Sequence, residues 1–345
     1  MAQIDKPNEY FNTKLYTGNG STQSISGVNF TPDFTWIKGR SGTYGVSNHK
    51  VYDVVRGATE TLFVNLTNAE TTQTNTLTSF DSDGFSLGDD SNVNDGSTNY
   101  TSWNWYTGAT ASSNTDGSIT STVSANTTSG FSIVSWTGNA TYPSTVGHGL
   151  GVAPKMIITK DRTGARSWYV YHESIGNNNE LYLNGTSGAS ASSTWNSTSP
   201  TSSVFTVNTD DVNASGYDYI GYCFAEKKGF SKFGSYTGNG SADGTFVYTG
   251  LSPSFVLLKE TSNANNWMIF DNKRSPFNLR DDFISPDISD AETTGNANNR
   301  MDMLSNGFKI RGTGSATNRS GSTFIYMAFA ENPLVGTNNT PAVAR

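Results

Sequence analysis

The sequence predicts an all-β protein, built as three tandem β-sandwich domains of a jelly-roll or lectin-like kind, each about 100 residues long. Three observations point there. The apolar runs are short, rich in Val, Ile, Phe, Tyr and Trp, and separated by Gly, Asn and Asp turns. No stretch keeps a helical period over several turns. Five sequence markers then return three times in the same order.

The first marker is Tyr16-Thr17-Gly18-Asn19-Gly20-Ser21, which returns as Tyr236-Thr237-Gly238-Asn239-Gly240-Ser241 and more weakly as Trp136-Thr137-Gly138-Asn139-Ala140. Its Asn-Gly pair supplies the positive φ angles of a tight turn. The second is a proline followed six residues later by a lysine across an apolar stretch: Pro32 to Lys38, Pro154 to Lys160 and Pro253 to Lys259. Proline is tolerated at a strand start, where its missing N–H costs no ladder bond. Within this marker Phe255-Val256-Leu257-Leu258 does not alternate, which predicts a strand buried on both faces. The third marker is an aromatic followed by a polar residue: Tyr52-Asp53, Tyr171-His172 and Phe270-Asp271. The fourth is a short strand: Gly84-Phe85-Ser86-Leu87, Val204-Phe205-Thr206-Val207 and Gly307-Phe308-Lys309-Ile310. The fifth is a closing aromatic strand near 100–105, 217–224 and 323–329.

The spacing of the markers is longer than the 20–50 residues of a solenoid repeat and fits domains that each bury a core. The expected organisation is an N-terminal arm at 1–12, sandwiches at 13–108, 130–228 and 229–333, a spacer or edge strand at 109–129, and a C-terminal arm at 334–345. Phe255, Leu257, Trp267, Phe308, Phe329, Trp36, Phe85 and Trp105 are expected in the core.

Ser, Thr, Asn and Gly make up 160 of the 345 residues, while the chain also carries 42 aromatics. Disordered chains are poor in aromatics, so this one is expected to fold. With a net charge of −7 it is a poor candidate for nucleic acid or anionic lipid. The opening residues lack the basic start and apolar core of a signal peptide, and no apolar run approaches a membrane span. One cysteine and three histidines leave no N/S metal site with recognisable spacing, and no cofactor is expected.

The candidate site residues are few. Asp53 and Arg56 are three apart, as are Asp271 and Arg274, and His172 and Ile175 stand in their places in the second copy. A general base is one reading; a salt bridge that orients a turn is the other, favoured because no nucleophile accompanies them. Asp81 and Asp83, followed by Asp89 and Asp90, resemble a calcium loop but lack its twelve-residue pattern, and Asx turns explain them equally. Trp195, flanked by Ser, Thr and Asn, is either a surface platform for a sugar ring or a plug over a sandwich edge. Tyr142 is the second candidate for glycan contact. No nucleophile elbow, phosphate loop or zinc-protease motif occurs, so no catalytic residue is assigned.

The string Gly147-His148-Gly149-Leu150-Gly151-Val152-Ala153-Pro154-Lys155-Met156-Ile157-Ile158 resembles the middle repeat of a poorly characterised family of marine tailed-bacteriophage proteins, cyanophages included. So does the run from Phe233 to Gly244, and the close Phe329-Ala330-Glu331-Asn332-Pro333 with its final Ala344-Arg345 is similar to that family's ending. The resemblance implies lectin-like β-sandwiches in a tail-fibre or other virion structural protein, located on the virion and assembled with other virion proteins, with a homotrimer as in many phage fibres. It carries no site residues. Two functions are expected from it: a non-enzymatic receptor-binding component that holds host surface polysaccharide, or a purely structural capsid-decoration or tail-assembly protein. A glycan depolymerase is a more distant alternative.

Overall fold

The computed structural model describes residues 3–333 and 335. The described residues are nearly all β, with three one-turn α-helices, and no helix among them is long and apolar enough to cross a membrane.

Each of the three segments builds one large and one small antiparallel sheet in the same strand order. In the large sheet the opening strand lies beside the closing strand, the closing strand beside the proline-led strand, and that beside a fourth. In the first segment these are Phe11–Thr17, Asn99–Trp105, Phe34–Ser41 and Lys50–Asp53. In the second they are Phe131–Thr137, Asp218–Phe224, Met156–Asp161 and Tyr169–His172. In the third they are Ser231–Thr237, Thr323–Pro333, Leu251–Glu260 and Met268–Asp271. The register repeats as well: Trp36 faces Trp103, Ile158 faces Tyr222 and Leu257 faces Met327.

The small sheets pair Gln23–Ser26 with Gly84–Leu87, Ser144–Gly147 with Val204–Val207, and Phe246–Tyr248 with Gly307–Ile310. A third strand joins in the first segment (Leu77–Asp81) and in the third (Met301–Leu304), but not in the second. Residues 109–129 supply Ser112–Asn114 and Ser121–Asn126, which extend the second segment's large sheet beyond its opening strand. At the N-terminus Ile4 is buried, and its N–H donates to the Lys228 carbonyl at 3.2 Å. The expected C-terminal arm lies outside the described residues apart from Val335.

Alternation along the proline-led strands explains why both their faces are buried. Val256 and Leu258 face their own segment's core, whereas Phe255 and Leu257 face a second core common to all three segments. Ile157 against Met156 and Ile158, and Ile37 against Phe34 and Trp36, divide in the same way. Separate cores therefore account only for the outer layer, between the large and small sheets. The inner faces of the three large sheets meet at the centre, where Trp105, Phe224 and Phe329 occupy equivalent positions on the three closing strands. Their ring centroids lie 6.3, 5.7 and 6.1 Å apart, a near-equilateral triangle around a pseudo-threefold axis. All eight residues expected in the core are buried.

Candidate functional site

The repeated polar residues are spent on the joints between segments. Asp53 Oδ1 accepts the N–H groups of Val55 and Arg56, and Oδ2 takes Arg56 Nε at 2.5 Å and the Tyr222 hydroxyl of the second segment at 2.8 Å. Asp271 repeats the turn with Lys273 and Arg274, and accepts Trp103 Nε1 of the first segment at 3.0 Å. Although burial pushes the Asp271 carboxyl up, the Arg274 guanidinium and the surrounding donors hold it below its ordinary value. His172 Nδ1 accepts Ser174 N–H, and Nε2 donates to the Tyr326 carbonyl of the third segment at 3.2 Å. These residues act as turn anchors and boundary ties, with every carboxylate oxygen engaged by a donor.

The marker lysines are fully buried, and each donates to two carbonyls of its own loop and one of a neighbouring segment. Lys38 reaches Gly39, Gly45 and Ser289; Lys160 reaches Asp161, Gly164 and Thr67; Lys259 reaches Glu260, Asn265 and Thr186. The borrowed carbonyl runs third to first, first to second and second to third, which closes a ring. Burial pushes Lys38 down to about 7 and Lys160 and Lys259 to about 8, against the pull of nearby carboxylates, Asp290 and Glu292 for Lys38, Asp161 and Glu70 for Lys160, and Asp287 and Glu260 for Lys259. The same ring appears in the backbone bonds Glu70 N–H to Arg162 O, Ala189 N–H to Thr261 O and Glu292 N–H to Arg40 O, at 2.8, 2.8 and 3.0 Å.

A further repeated residue escaped the sequence reading. Asn94, Asn213 and Asn318 end the helices Ser91–Asn94, Asp210–Asn213 and Ser315–Asn318, each five residues before its closing strand, and all are fully buried. Their Oδ1 atoms accept the N–H of Asn19, Asn139 and Asn239 at 2.9–3.0 Å, which clamps the first marker's turn. Gly18, Gly138 and Gly238 are needed beside them: a Cβ there would stand 2.2–2.4 Å from the carbonyls of Asp95, Ala214 and Arg319. The common spacing of these asparagines was the available signal.

Trp195, expected as platform or plug, is a plug. It is 2 % exposed and packs edge-on against Tyr171 at 6.0 Å, so no face is open to a sugar. The second segment's small sheet lacks the third strand, whose Leu77 or Met301 fills the outer core elsewhere, and Trp195 closes that gap. Tyr142 is 41 % exposed, with its hydroxyl donating to Asp210. Asp81 accepts the hydroxyls of Ser79 and Ser86, and Asp83 accepts the N–H groups of Gly27 and Asn29. Those backbone donors hold Asp83 below the usual carboxylate range. Asp81 thus ties its own hairpin together and Asp83 ties that hairpin's turn to the loop after Gln23–Ser26, and no cluster of three metal-ligating side chains occurs among the described residues.

The segments are alike inside and differ outside. Among the described residues, four of the eight exposed large hydrophobics, Phe246, Tyr248, Phe277 and Leu279, belong to the third segment. Phe246 and Tyr248 project from the same outward face of an edge strand of its small sheet. At the opposite edge strand, Asn278 binds the Met303 backbone and so holds Phe277 and Leu279 nearby. The corresponding outward positions in the first segment are Ser24 and Ser26.

One family model covers residues 6–333, all three segments together. The chain belongs to the DUF7483 family, a domain of unknown function. No curated protein and no solved structure matches it. The DUF7483 unit is thus the whole three-segment body, including the boundary bonds, and not a single sandwich.

Proposed function

We propose that this DUF7483 chain is a non-catalytic virion component whose exposed third segment holds host surface polysaccharide. The observation that carries this reading is the contrast between a repeated interior and an unequal surface. Packing alone gives no reason for Phe246 and Tyr248 to stand exposed on one segment where another carries serine. Two rings on one side of a strand, two residues apart, are spaced at about 7 Å, which suits stacking against successive faces of a saccharide. A rigid three-lobed body is a good mount for such a strand, and the resemblance to tailed-phage proteins supplies the setting.

The test is retention of purified protein on intact host cells, with competition by host polysaccharide. Wild type should bind, and Phe246→Ala/Tyr248→Ala should bind at least tenfold more weakly with an unchanged melting temperature. Failure of wild type to bind, with this face buried in the assembled particle, would favour the decoration or tail-assembly role. Release of reducing ends from the polysaccharide would favour a depolymerase.

A further inference from the structure

The lysines of this acidic chain are scattered, except where Lys227, Lys228 and Lys232 fall within six residues at the junction of the second and third segments. The fold places them along a cleft of about 660 Å³ whose opposite wall is Tyr248 to Leu251. A volume of that size accommodates a ligand of two or three sugar rings. The floor is fixed: Gly229 has φ +79°, and a Cβ there would meet Gln3 Cγ at 2.7 Å and Ile4 O at 2.8 Å, so the N-terminal stretch seals the cleft from below. The Lys228 carbonyl is held by Ile4 N–H, while its side chain is exposed and makes no ion pair among the described residues. Lys232 faces Glu226 at 2.8 Å in a half-exposed pair that a stronger anion can replace. Lys227 is mostly buried and forms the wall. Tyr248 is 59 % exposed and stands at the rim.

We infer that this cleft binds an acidic saccharide, with Lys228 and Lys232 on its carboxylate or sulfate and Tyr248 stacked on a sugar face. The inference rests on the polysaccharide-binding reading above and names the class of saccharide and its seat. A flat aromatic face beside separate cations matches a chain that alternates ring faces with single anionic groups. A nucleic acid, with a phosphate at every residue, would meet the repulsion of the whole chain's −7 charge with only two accessible lysines to offset it.

The experiment titrates the full chain with alginate, dextran sulfate, neutral dextran and poly-L-glutamate, and repeats the tight cases at 0.05 and 0.5 M salt. Alginate separates carboxylate from the sulfate of dextran sulfate; poly-L-glutamate asks whether charge suffices without a sugar face. Binding to one or both acidic polysaccharides, at least tenfold tighter than to dextran or poly-L-glutamate and weakened by salt, is expected. Lys228→Glu and Tyr248→Ala should each weaken it at least tenfold, Tyr248→Phe less than threefold, and Lys14→Ala, whose ammonium lies beside Gly27 in the first segment, not at all. If dextran binds as tightly as alginate, if poly-L-glutamate competes equally, or if Lys228→Glu changes nothing, the acidic-saccharide cleft is wrong while attachment to host glycan stands. If wild type binds neither polysaccharides nor host cells, the attachment reading itself falls.

Discussion

All three histidines are held in the same tautomer. His49, His148 and His172 each accept a hydrogen bond at Nδ1, from Trp36 Nε1, Leu150 N and Ser174 N, and each donates from Nε2 to a carbonyl, of Ser285, Thr201 and Tyr326. Protonating Nδ1 would replace an acceptor by a donor facing a donor. Burial accordingly lowers all three, His172 to about 4. For a histidine depressed in the folded state, stability is fully present above its unfolded value near 6.5 and is lost as the pH falls toward the folded value. Asp287, raised by burial to about 7, works in the opposite sense over part of this range, so the clean measurement is a difference. Relative to His172→Gln, which keeps a donor and an acceptor but does not titrate, wild type should lose about 2 kcal/mol between pH 6.5 and 4.5 in urea denaturation. A constant difference between the two proteins would show that His172 is not held neutral. The sequence displayed His172 in the place of Asp53 and Asp271, but the element shared by the three is a tie to a neighbouring segment, and His172 achieves it through a backbone carbonyl that no side-chain pattern records.

At the scale of elements, the proline-led strands and their terminal lysines join the sheets. Their strand character was legible: proline at the head, an apolar run without alternation, lysine at the end. The destination of the lysine was not, because its acceptors Ser289, Thr67 and Thr186 use main-chain oxygens, which any residue offers. Lys160→Met keeps the apolar stem and removes three hydrogen bonds, leaving carbonyls without that donor. Each unsatisfied buried group costs about 1–3 kcal/mol, partly relieved by local adjustment, so a loss of roughly 2–4 kcal/mol is expected in chemical denaturation. Lys259→Met should cost a similar amount, since the contacts repeat. A change below about 0.5 kcal/mol in either variant would mean that the clasp adds nothing. Trp195 was ambiguous in sequence for a related reason: its serine and threonine neighbours resemble a surface loop, and the hole it fills comes from a strand absent from the second small sheet alone.

For the whole molecule, the internal markers revealed three copies of one pattern but not how the copies meet. A strand buried on both faces announces a second core without naming who shares it. The answer is that all three segments do, around Trp105, Phe224 and Phe329, with Phe11 stacked on Phe329 at 5.0 Å and Phe34 against Tyr222 at 4.4 Å across segment boundaries. One chain therefore already carries the threefold order that a trimer of single sandwiches would have, and its three segments should not melt independently. Truncating a buried aromatic costs about 3–5 kcal/mol, so Trp105→Ala should lower the melting of the entire protein and not of its first segment alone. Calorimetry of wild type should give one transition whose calorimetric and van't Hoff enthalpies agree. A chain ending at residue 228 would lose Phe255 and Phe329, stripping Phe11, Trp105 and Phe224 of their ring contacts to the third segment. It should bind a hydrophobic dye and show no sharp transition. Separate transitions in wild type, or a cooperative 1–228 fragment, would mean that the central cluster is a contact between independent domains and not the core of one.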